Sequence, residues 1–391
     1  MTKQKKNLAS LRFEGLENRT LLAGDVTVAV VSGVLQITGD TADNSIQIKQ
    51  AGADWRVQGI GTTINGNNGA QIFAGVTGIE IELGAGHDSI KVAKGTLTGT
   101  FAIDDVGGRS TVDLSKFSAN SIAISTFDEN DTIILNKCAV TTSLSVNSFS
   151  TADDGTDTIT IVKSTVGTTF DVGTGAGDDI VTINGVTAGE TFIVNTFSPG
   201  ESDLDVVTVS KSSSGDALDV LTGDGRDIVT LSKVQAGTDL RVIAFESTGD
   251  TSSDTVDIAK SSATESVEIS TGDGVDGVRL SKFTAGTDVL ITTSGTAADA
   301  GDVVILANLN AGNDIVVNTG DGTDSVSLTK VVAVSDLNVN LGEGDSDQLF
   351  VARSRALAAL FDGGDNDDDL ILLNRNSFTT KIANGFEHEV G

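Results

Sequence analysis

The sequence contains one proline, one cysteine, one methionine, one tryptophan and no tyrosine in 391 residues. The single cysteine, Cys138, excludes an intramolecular disulfide. No run of about 18 apolar residues is present, which argues against a transmembrane helix. The basic start of the chain, MTKQKKNLAS, is not followed by the apolar segment that a secretory signal peptide requires. Any export of this chain must therefore be argued from other features.

Basic residues are also scarce, with 25 Lys and Arg against 55 Asp and Glu, which gives a net charge of −30. An acidic surface of this kind repels phosphate backbones and anionic lipid, so we expect neither nucleic-acid binding nor membrane insertion. The same surface attracts cations. The expected partners are divalent cations, and extracellular glycans or components of the cell envelope.

The abundant residues indicate an all-β chain. There are 45 glycines together with many Val, Ile, Thr, Ser and Asp residues. This composition is typical of short β-branched strands joined by Gly and Asp turns.

An internal repeat organises most of the chain. The stretch TGDGRDIVTLSK (222–233) returns in similar form at 271–282 and 319–330. We take the residue that follows each glycine turn as the zero position of a repeat unit. These residues are Asp88, Ser110, Asp131, Asp157, Asp179, Asp205, Asp227, Asp254, Asp276, Asp302, Asp324, Asp347 and Asp369. Periods of this length are typical of solenoids, propellers or arrays.

Each unit contains two strands with alternating apolar residues. The residues two and four positions after zero are aliphatic in all units, as in Val229 and Leu231, whereas the residues between them are mixed. A second apolar pair precedes each turn, as in Leu218 and Val220. This pattern predicts a right-handed parallel β-helix (β-solenoid) of about 13 coils of 22–26 residues, about 60 Å long at ~4.8 Å per coil, with an irregular N-terminal cap.

Three regions are predicted along the chain. Residues 1–24 form a targeting-like or capping segment, residues 25–76 a cap with a degenerate first coil, and residues 77–391 the β-helix. Trp55 falls in the irregular region and is assigned to the cap, with a ligand platform as the alternative.

Two charged residues recur in every coil and have two interpretations. Asp occupies the zero position in all units but one, and Lys or Arg follows six residues later in all units except at Gly185 and Asn308. In the first interpretation the Asp residues form turns by accepting backbone hydrogen bonds, and the Lys side chains extend into solvent. In the second, stacked carboxylates, which repel by about 1 kcal/mol per pair in water, are stabilised by divalent cations.

Calcium is the cation predicted by the second interpretation, because it accepts carboxylate and backbone oxygens in flexible geometry. LGAGHDSIK (83–91) and GTGAGDDIV (173–181) resemble half of the calcium-binding nonapeptide of RTX proteins, although here the motif recurs once per two coils instead of every nine residues. The candidate metal ligands are Asp88, Asp179, Asp227, Asp276, Asp324, Asp345, Asp347, Asp365 and Asp369.

The segment LRFEGLENRTLLAG (11–24) resembles the LEPR-XLL motif at the N-termini of planctomycete surface and secreted proteins. The residues that match the motif are Leu16, Glu17, Arg19, Leu21, Leu22 and Ala23, and Asn18 stands where the family often has Pro. The resemblance implies a bacterial repeat protein that is exported or held at the cell surface.

These observations predict a non-enzymatic extracellular or cell-surface protein with a structural or adhesive role, to which calcium could add stability. The alternative is a polysaccharide lyase or hydrolase built on a β-helix, which the low aromatic content of 4% disfavours. A third function, binding of ice or crystals by outward Thr residues, is disfavoured because Asp257 and Arg279 interrupt the Thr row. Neither His87 nor Cys138 is placed in a catalytic set.

Overall fold

The computed structural model describes residues 24–105, 107–127, 129–149, 155–197, 203–245, 252–294, 300–344, 346–364, 368–372 and 375–390. Within these ranges the chain is all-β. The first twenty strands are β1 (Asp25–Val31), β2 (Val34–Thr38), β3 (Ser45–Ala51), β4 (Asp54–Gly59), β5 (Thr63–Ile64), β6 (Gln71–Phe73), β7 (Gly78–Glu82), β8 (Asp88–Thr96), β9 (Thr100–Asp105), β10 (Ser110–Ala119), β11 (Ser121–Thr126), β12 (Thr132–Asn136), β13 (Ala139–Val140), β14 (Leu144–Asn147), β15 (Thr158–Val162), β16 (Thr165–Val166), β17 (Phe170–Gly173), β18 (Ile180–Asn184), β19 (Thr187–Ala188) and β20 (Phe192–Asn195).

The remaining strands are β21 (Val206–Ser210), β22 (Ser213–Ser214), β23 (Leu218–Leu221), β24 (Ile228–Ser232), β25 (Gln235–Ala236), β26 (Leu240–Ile243), β27 (Thr255–Ala259), β28 (Ser262–Ala263), β29 (Val267–Ser270), β30 (Gly277–Ala285), β31 (Val289–Thr292), β32 (Val303–Ala311), β33 (Ile315–Asn318), β34 (Ser325–Ala333), β35 (Asp336–Asn340), β36 (Gln348–Ala352), β37 (Arg355–Asp362), β38 (Asp368–Leu372), β39 (Ser377–Asn384) and β40 (Phe386–Val390).

Each coil stacks its strands on those of the next coil in parallel register. Strands that follow the zero position pair with one another, as β15 does with β18, where Ile159 lies opposite Val181. Strands that precede the turn form a second face, as in the pairing of β20 with β23. Short strands such as β16 and β19 form a third face. The predicted parallel β-solenoid is confirmed, with about 12 turns where 13 coils were expected.

The core lies inside the stacked coils. The aliphatic residues two and four positions after zero are fully buried wherever their side chains are described, as Val229 and Leu231 are. The apolar pairs of the second strand are buried in the same way, and the rings of Phe170 and Phe192 in adjacent coils lie 4.4 Å apart. No coil could bury its apolar face alone, so the core exists only because the coils stack.

The N-terminal end is covered by antiparallel strands. β2 stacks on β7 and β3 on β8, so these two strands form the predicted degenerate coil. β4 then folds back antiparallel on β3, and β6 pairs antiparallel with β4. Trp55 on β4 is buried, and its ring lies 6.1 Å from that of Phe117. This position agrees with the cap role that was predicted for Trp55.

A left-handed residue turns each coil at the Lys position. Eleven Lys or Arg residues and Asn308 have φ between 52° and 81°, and Gly185, which takes the same place in its coil, has φ 71°. The eleven are Lys94, Lys116, Lys137, Lys163, Lys211, Lys233, Lys260, Lys282, Lys330, Arg353 and Arg375. Because side chains other than Gly and Asn seldom adopt this conformation, Gly185 and Asn308 were the sequence signal for a left-handed corner.

Candidate functional site: the aspartate corner

The zero-position Asp residues form a buried column at one corner of the coil. All those from Asp88 to Asp347 are at most 4% exposed. Each accepts a hydrogen bond through Oδ1 from the backbone N–H of the corresponding residue in the preceding coil. The N–H of Asp131 donates to Asp157 at 2.7 Å, and that of Asp157 donates to Asp179 at 2.8 Å. The carboxylates therefore link neighbouring coils at the point where the strands begin, as the turn-forming interpretation predicted.

The column extends almost without interruption along the described rod. It begins with the N–H of Asn44, which donates to Asp88 at 2.7 Å, and continues to the N–H of Asp324, which donates to Asp347 at 2.7 Å. Asn44 is therefore the zero-position residue of the degenerate first coil. The insertion of β4 to β6 accounts for the distance of 44 residues between Asn44 and Asp88.

One coil exchanges the positions of its acid and its hydroxyl. Ser110 occupies the zero position, and its hydroxyl donates to Asp105, which lies five residues earlier on the other side of the corner. Both residues are buried, and Asp105 accepts a further hydrogen bond from the N–H of Gly84 at 3.0 Å. The N–H of Asp88 donates instead to the carbonyl of Arg109. A buried carboxyl is thus retained at this corner although its position in the chain has changed.

A column of hydroxyl groups lies on the opposite side of the corner. Its members lie at the end of the second strand in eight coils and are at most 2% exposed. They are Thr126, Ser148, Thr174, Thr196, Thr222, Thr271, Thr293 and Thr319. Their sequence signal is a Ser or Thr two residues after the second apolar pair, as in FDVGT (170–174), and we did not predict this column.

Burial shifts the ionisation of the corner carboxyls. Removal from water raises the pKa of Asp179 to about 9, against the opposing effects of the Thr174 hydroxyl and the N–H of Asp157. Burial also raises the pKa of Asp88 to about 7, although the N–H of Asn44 opposes this shift. Both carboxyls therefore keep their protons to a higher pH than an exposed Asp does.

The glycine turns are explained by packing between coils. Gly223 has φ +85°, and a Cβ atom there would lie 2.3 Å from ring atom Cδ2 of Phe197 in the preceding coil. Gly175 has the same relation to Phe149, and Gly272 to Phe245. Each Phe begins the long loop of its coil and covers the first glycine of the next, shorter coil. This contact gives the alternation of long and short units a physical reason, and NSF (147–149) and NTF (195–197) carried its signal.

The second glycine of each turn allows backbones to approach closely. A Cβ atom on Gly225 would lie 2.2 Å from the carbonyl oxygen of Asp203, and one on Gly274 would lie 1.8 Å from that of Ser252. Both glycines of the G-x-G motif therefore have structural roles.

The predicted calcium ligands fit this arrangement poorly. Asp88, Asp179, Asp227, Asp276, Asp324 and Asp347 are buried and accept backbone hydrogen bonds, while Asp345, Asp365 and the side chain of Asp369 lie outside the described residues. No group of three or more His, Cys, Asp or Glu residues suited to a metal occurs in the described part of the chain. The geometry favours the turn-forming role, and calcium binding stays a prediction.

Two other reactive groups have structural surroundings. Cys138 is buried, and burial raises the pKa of its thiol to about 11. It packs as a small apolar residue, as predicted. The imidazole of His87 is 57% exposed and lies 3.8 Å from Glu129.

No protein-family model matches this chain, and neither a curated protein nor a solved structure matches it. The ranges that the structure describes include no helix long and apolar enough to cross a membrane.

Proposed function

We propose that this protein is a non-enzymatic structural and adhesive rod of the bacterial cell surface or extracellular space. The observation that carries the proposal is the uniform stacking of the coils. From Asp88 to Asp369 successive zero positions are 21 to 27 residues apart, so the long coils exceed the short ones only in the loop that precedes the zero position. Catalytic and ligand sites usually lie in long irregular loops on a rigid scaffold. A uniform rod instead offers repeated faces, which suits a structural or adhesive role.

The resemblance of residues 11–24 to the LEPR-XLL motif supports the location at the surface. All but one of these residues precede the described part of the chain, so this support comes from the sequence alone. The acidic composition is consistent with an exposed protein, because a large net charge keeps the rod soluble.

Two measurements on the full chain test the proposal. Antibodies against the rod should label intact producing cells, and a cytoplasmic marker in the same cells should stay unlabelled. Purified protein incubated with uronate-rich glycans should release neither unsaturated nor reducing ends above a heat-denatured control. Exclusive recovery from the cytoplasm, or glycan turnover by the purified chain, would overturn the proposal.

A further inference from the structure

One face of the rod excludes acidic residues. We define the basic face as the residues from four to ten positions after each zero position, as in 209–215 (VSKSSSG) and 280–286 (LSKFTAG). Across thirteen coils this face contains no Asp or Glu, although the chain has 55 of them. It contains twelve of the 25 basic residues, namely the eleven Lys and Arg of the left-handed corner and Arg355. The charge on this face is therefore opposite to that of the whole protein.

The structure aligns the eleven cations of the left-handed corner in one line, which is interrupted at Gly185 and Asn308. The twelve side chains are exposed, and none forms an ion pair within the described part of the chain. Backbone hydrogen bonds keep neighbouring corners in register, because the N–H of a corner residue donates to the carbonyl before the corner of the next coil. Lys211 donates in this way to Ser232, and Lys233 to Ala259. Neighbouring cations are therefore spaced by one coil, ~4.8 Å.

Backbone geometry does not explain why these residues are basic. The left-handed conformation favours Gly, Asn and Asp, and costs other side chains about 1–2 kcal/mol. Gly185 and Asn308 occupy the same corner, yet eleven coils keep Lys or Arg. By contrast, the partly exposed position three residues after zero varies in charge, as Lys91, Asp113, Ile134 and Thr160 show. The positive charge itself is the feature that is repeated.

We propose that the basic face binds a linear acidic polysaccharide, such as a 1,4-linked uronate chain, which lies parallel to the rod axis. One sugar ring is about as long as one coil is thick, ~4.8 Å, so successive carboxylates can meet successive cations. Hydroxyl side chains such as Thr165, Thr187 and Ser213 lie two residues after the corner and can hydrogen-bond to sugar hydroxyls. This inference rests on the proposed function and names the surface and the partner of its adhesive part.

The same features argue against other anionic partners. Single-stranded nucleic acids are bound through stacking on exposed aromatic rings, but on this face Phe117 and Phe283 are buried and Phe378 is partly buried against the core. A second copy of the rod would bring a further net charge of −30 close to the first. A thin polymer on the basic face instead keeps its negative charges near the cations. Its repulsion by the acidic corners is weakened by salt, because charges more than about 8 Å apart are screened at physiological ionic strength.

Calorimetric titration of the full chain with polygalacturonate, with neutral dextran as a negative control, tests the inference. We expect binding of the polyanion alone, with an affinity that falls as salt rises. Replacing Lys211, Lys233, Lys260 and Lys282 by Asn, which Asn308 shows to be accepted at this corner, should weaken binding by about tenfold or more. Filling the gaps with Gly185→Lys and Asn308→Lys should strengthen it.

A matched control removes the same charge elsewhere. Replacing the exposed residues Lys91, Arg109, Arg226 and Arg241 by Gln should leave the affinity within about twofold, because none lies on the basic face. Failure of the wild-type chain to bind, or an equal loss in this control, would overturn the inference. So would self-association in sedimentation that only the basic-face variant abolishes. None of these three results would change surface labelling or the absence of glycan turnover. The proposed function can therefore stand even if this inference fails.

Discussion

At the scale of single residues, the recurring Asp and Lys have different physical origins. The Asp side chain supplies a hydrogen-bond acceptor that the corner backbone requires, and it does so where water is excluded. The Lys residue supplies a left-handed turn for which its side chain is not needed. The repeated Asp therefore reflects a structural requirement of the corner, whereas the repeated Lys reflects a property of the surface.

The first prediction concerns the proton on Asp179. Because burial raises its pKa to about 9 from an ordinary value of 3.8, the folded chain keeps a proton that the unfolded chain loses. The stability that this group contributes is complete below pH 4 and is lost as the pH rises to about 9. The nearby carboxyls of Asp157 and Asp205 act in the same direction on Asp179. Asp179→Asn should therefore gain several degrees in Tm relative to wild type at pH 9, with a smaller gain at pH 5.

Thermal unfolding of both proteins between pH 5 and pH 9 checks this prediction. Asp178→Asn removes the same charge from the exposed neighbouring residue and should show little dependence of its effect on pH. A Tm difference between Asp179→Asn and wild type that is constant across this pH range would contradict the shifted pKa.

The second prediction concerns the left-handed corner. Lys233 has φ 59°, a conformation that a β-branched residue adopts only with strain. Lys233→Val should lower the free energy of unfolding by about 1–2 kcal/mol, whereas Lys233→Gly should not lower it. Thr230→Val, in an extended strand of the same coil, serves as the control and should be close to neutral. Equal effects of Val at positions 230 and 233 in denaturant unfolding would refute the role of backbone conformation.

At the scale of elements, a long coil and the following short coil pack as a pair. The Phe that begins each long loop lies against the first glycine of the next turn, as Phe197 does against Gly223. The strands keep their register on both sides of this contact, because the extra residues lie in the loop alone. Three long coils, those that contain Phe149, Phe197 and Phe245, pair in this way with the short coils that follow them.

The third prediction tests this pairing. Gly223→Ala places a Cβ atom against the Phe197 ring at a left-handed position and should cost about 1–3 kcal/mol of unfolding free energy. Phe197→Leu shortens the opposing side chain, and the double variant should lose less than the sum of the two single variants. A double-mutant cycle in denaturant measures this coupling. Strict additivity would show that the glycine is required for its backbone conformation alone.

The sequence predicted the strands well because burial on one side imposes a period of two. The aliphatic pairs at Val229 and Leu231 and at Leu218 and Val220 are evident in the sequence alone. The aspartate corner was predicted only in part. Its hydroxyl column and its Phe contacts involve residues of different coils, and the exchange of Asp105 with Ser110 appears only when neighbouring coils are superposed. Contacts between coils have no fixed spacing in the sequence when loop lengths vary.

At the scale of the whole molecule, stability comes from many equivalent interfaces. About 12 turns repeat one corner that is held by hydrogen bonds, one left-handed corner and one continuous core. The described Asp side chains of the corner accept a backbone hydrogen bond through Oδ1 from the preceding coil, so we expect the rod to fold without an ion. The central claim is therefore that the aspartate corner links the coils without metal.

Thermal unfolding by circular dichroism tests this claim most directly. The full chain is treated with excess EDTA at pH 7 and is then measured in EDTA, in millimolar calcium and in millimolar magnesium. The account predicts a cooperative transition in EDTA. The midpoint in calcium should differ from the midpoint in EDTA by no more than the midpoint in magnesium does. A rise specific to calcium would mean that ions bind the native turns and stabilise the rod by linkage. That result would contradict the account and would return the acidic turns to the calcium-binding interpretation.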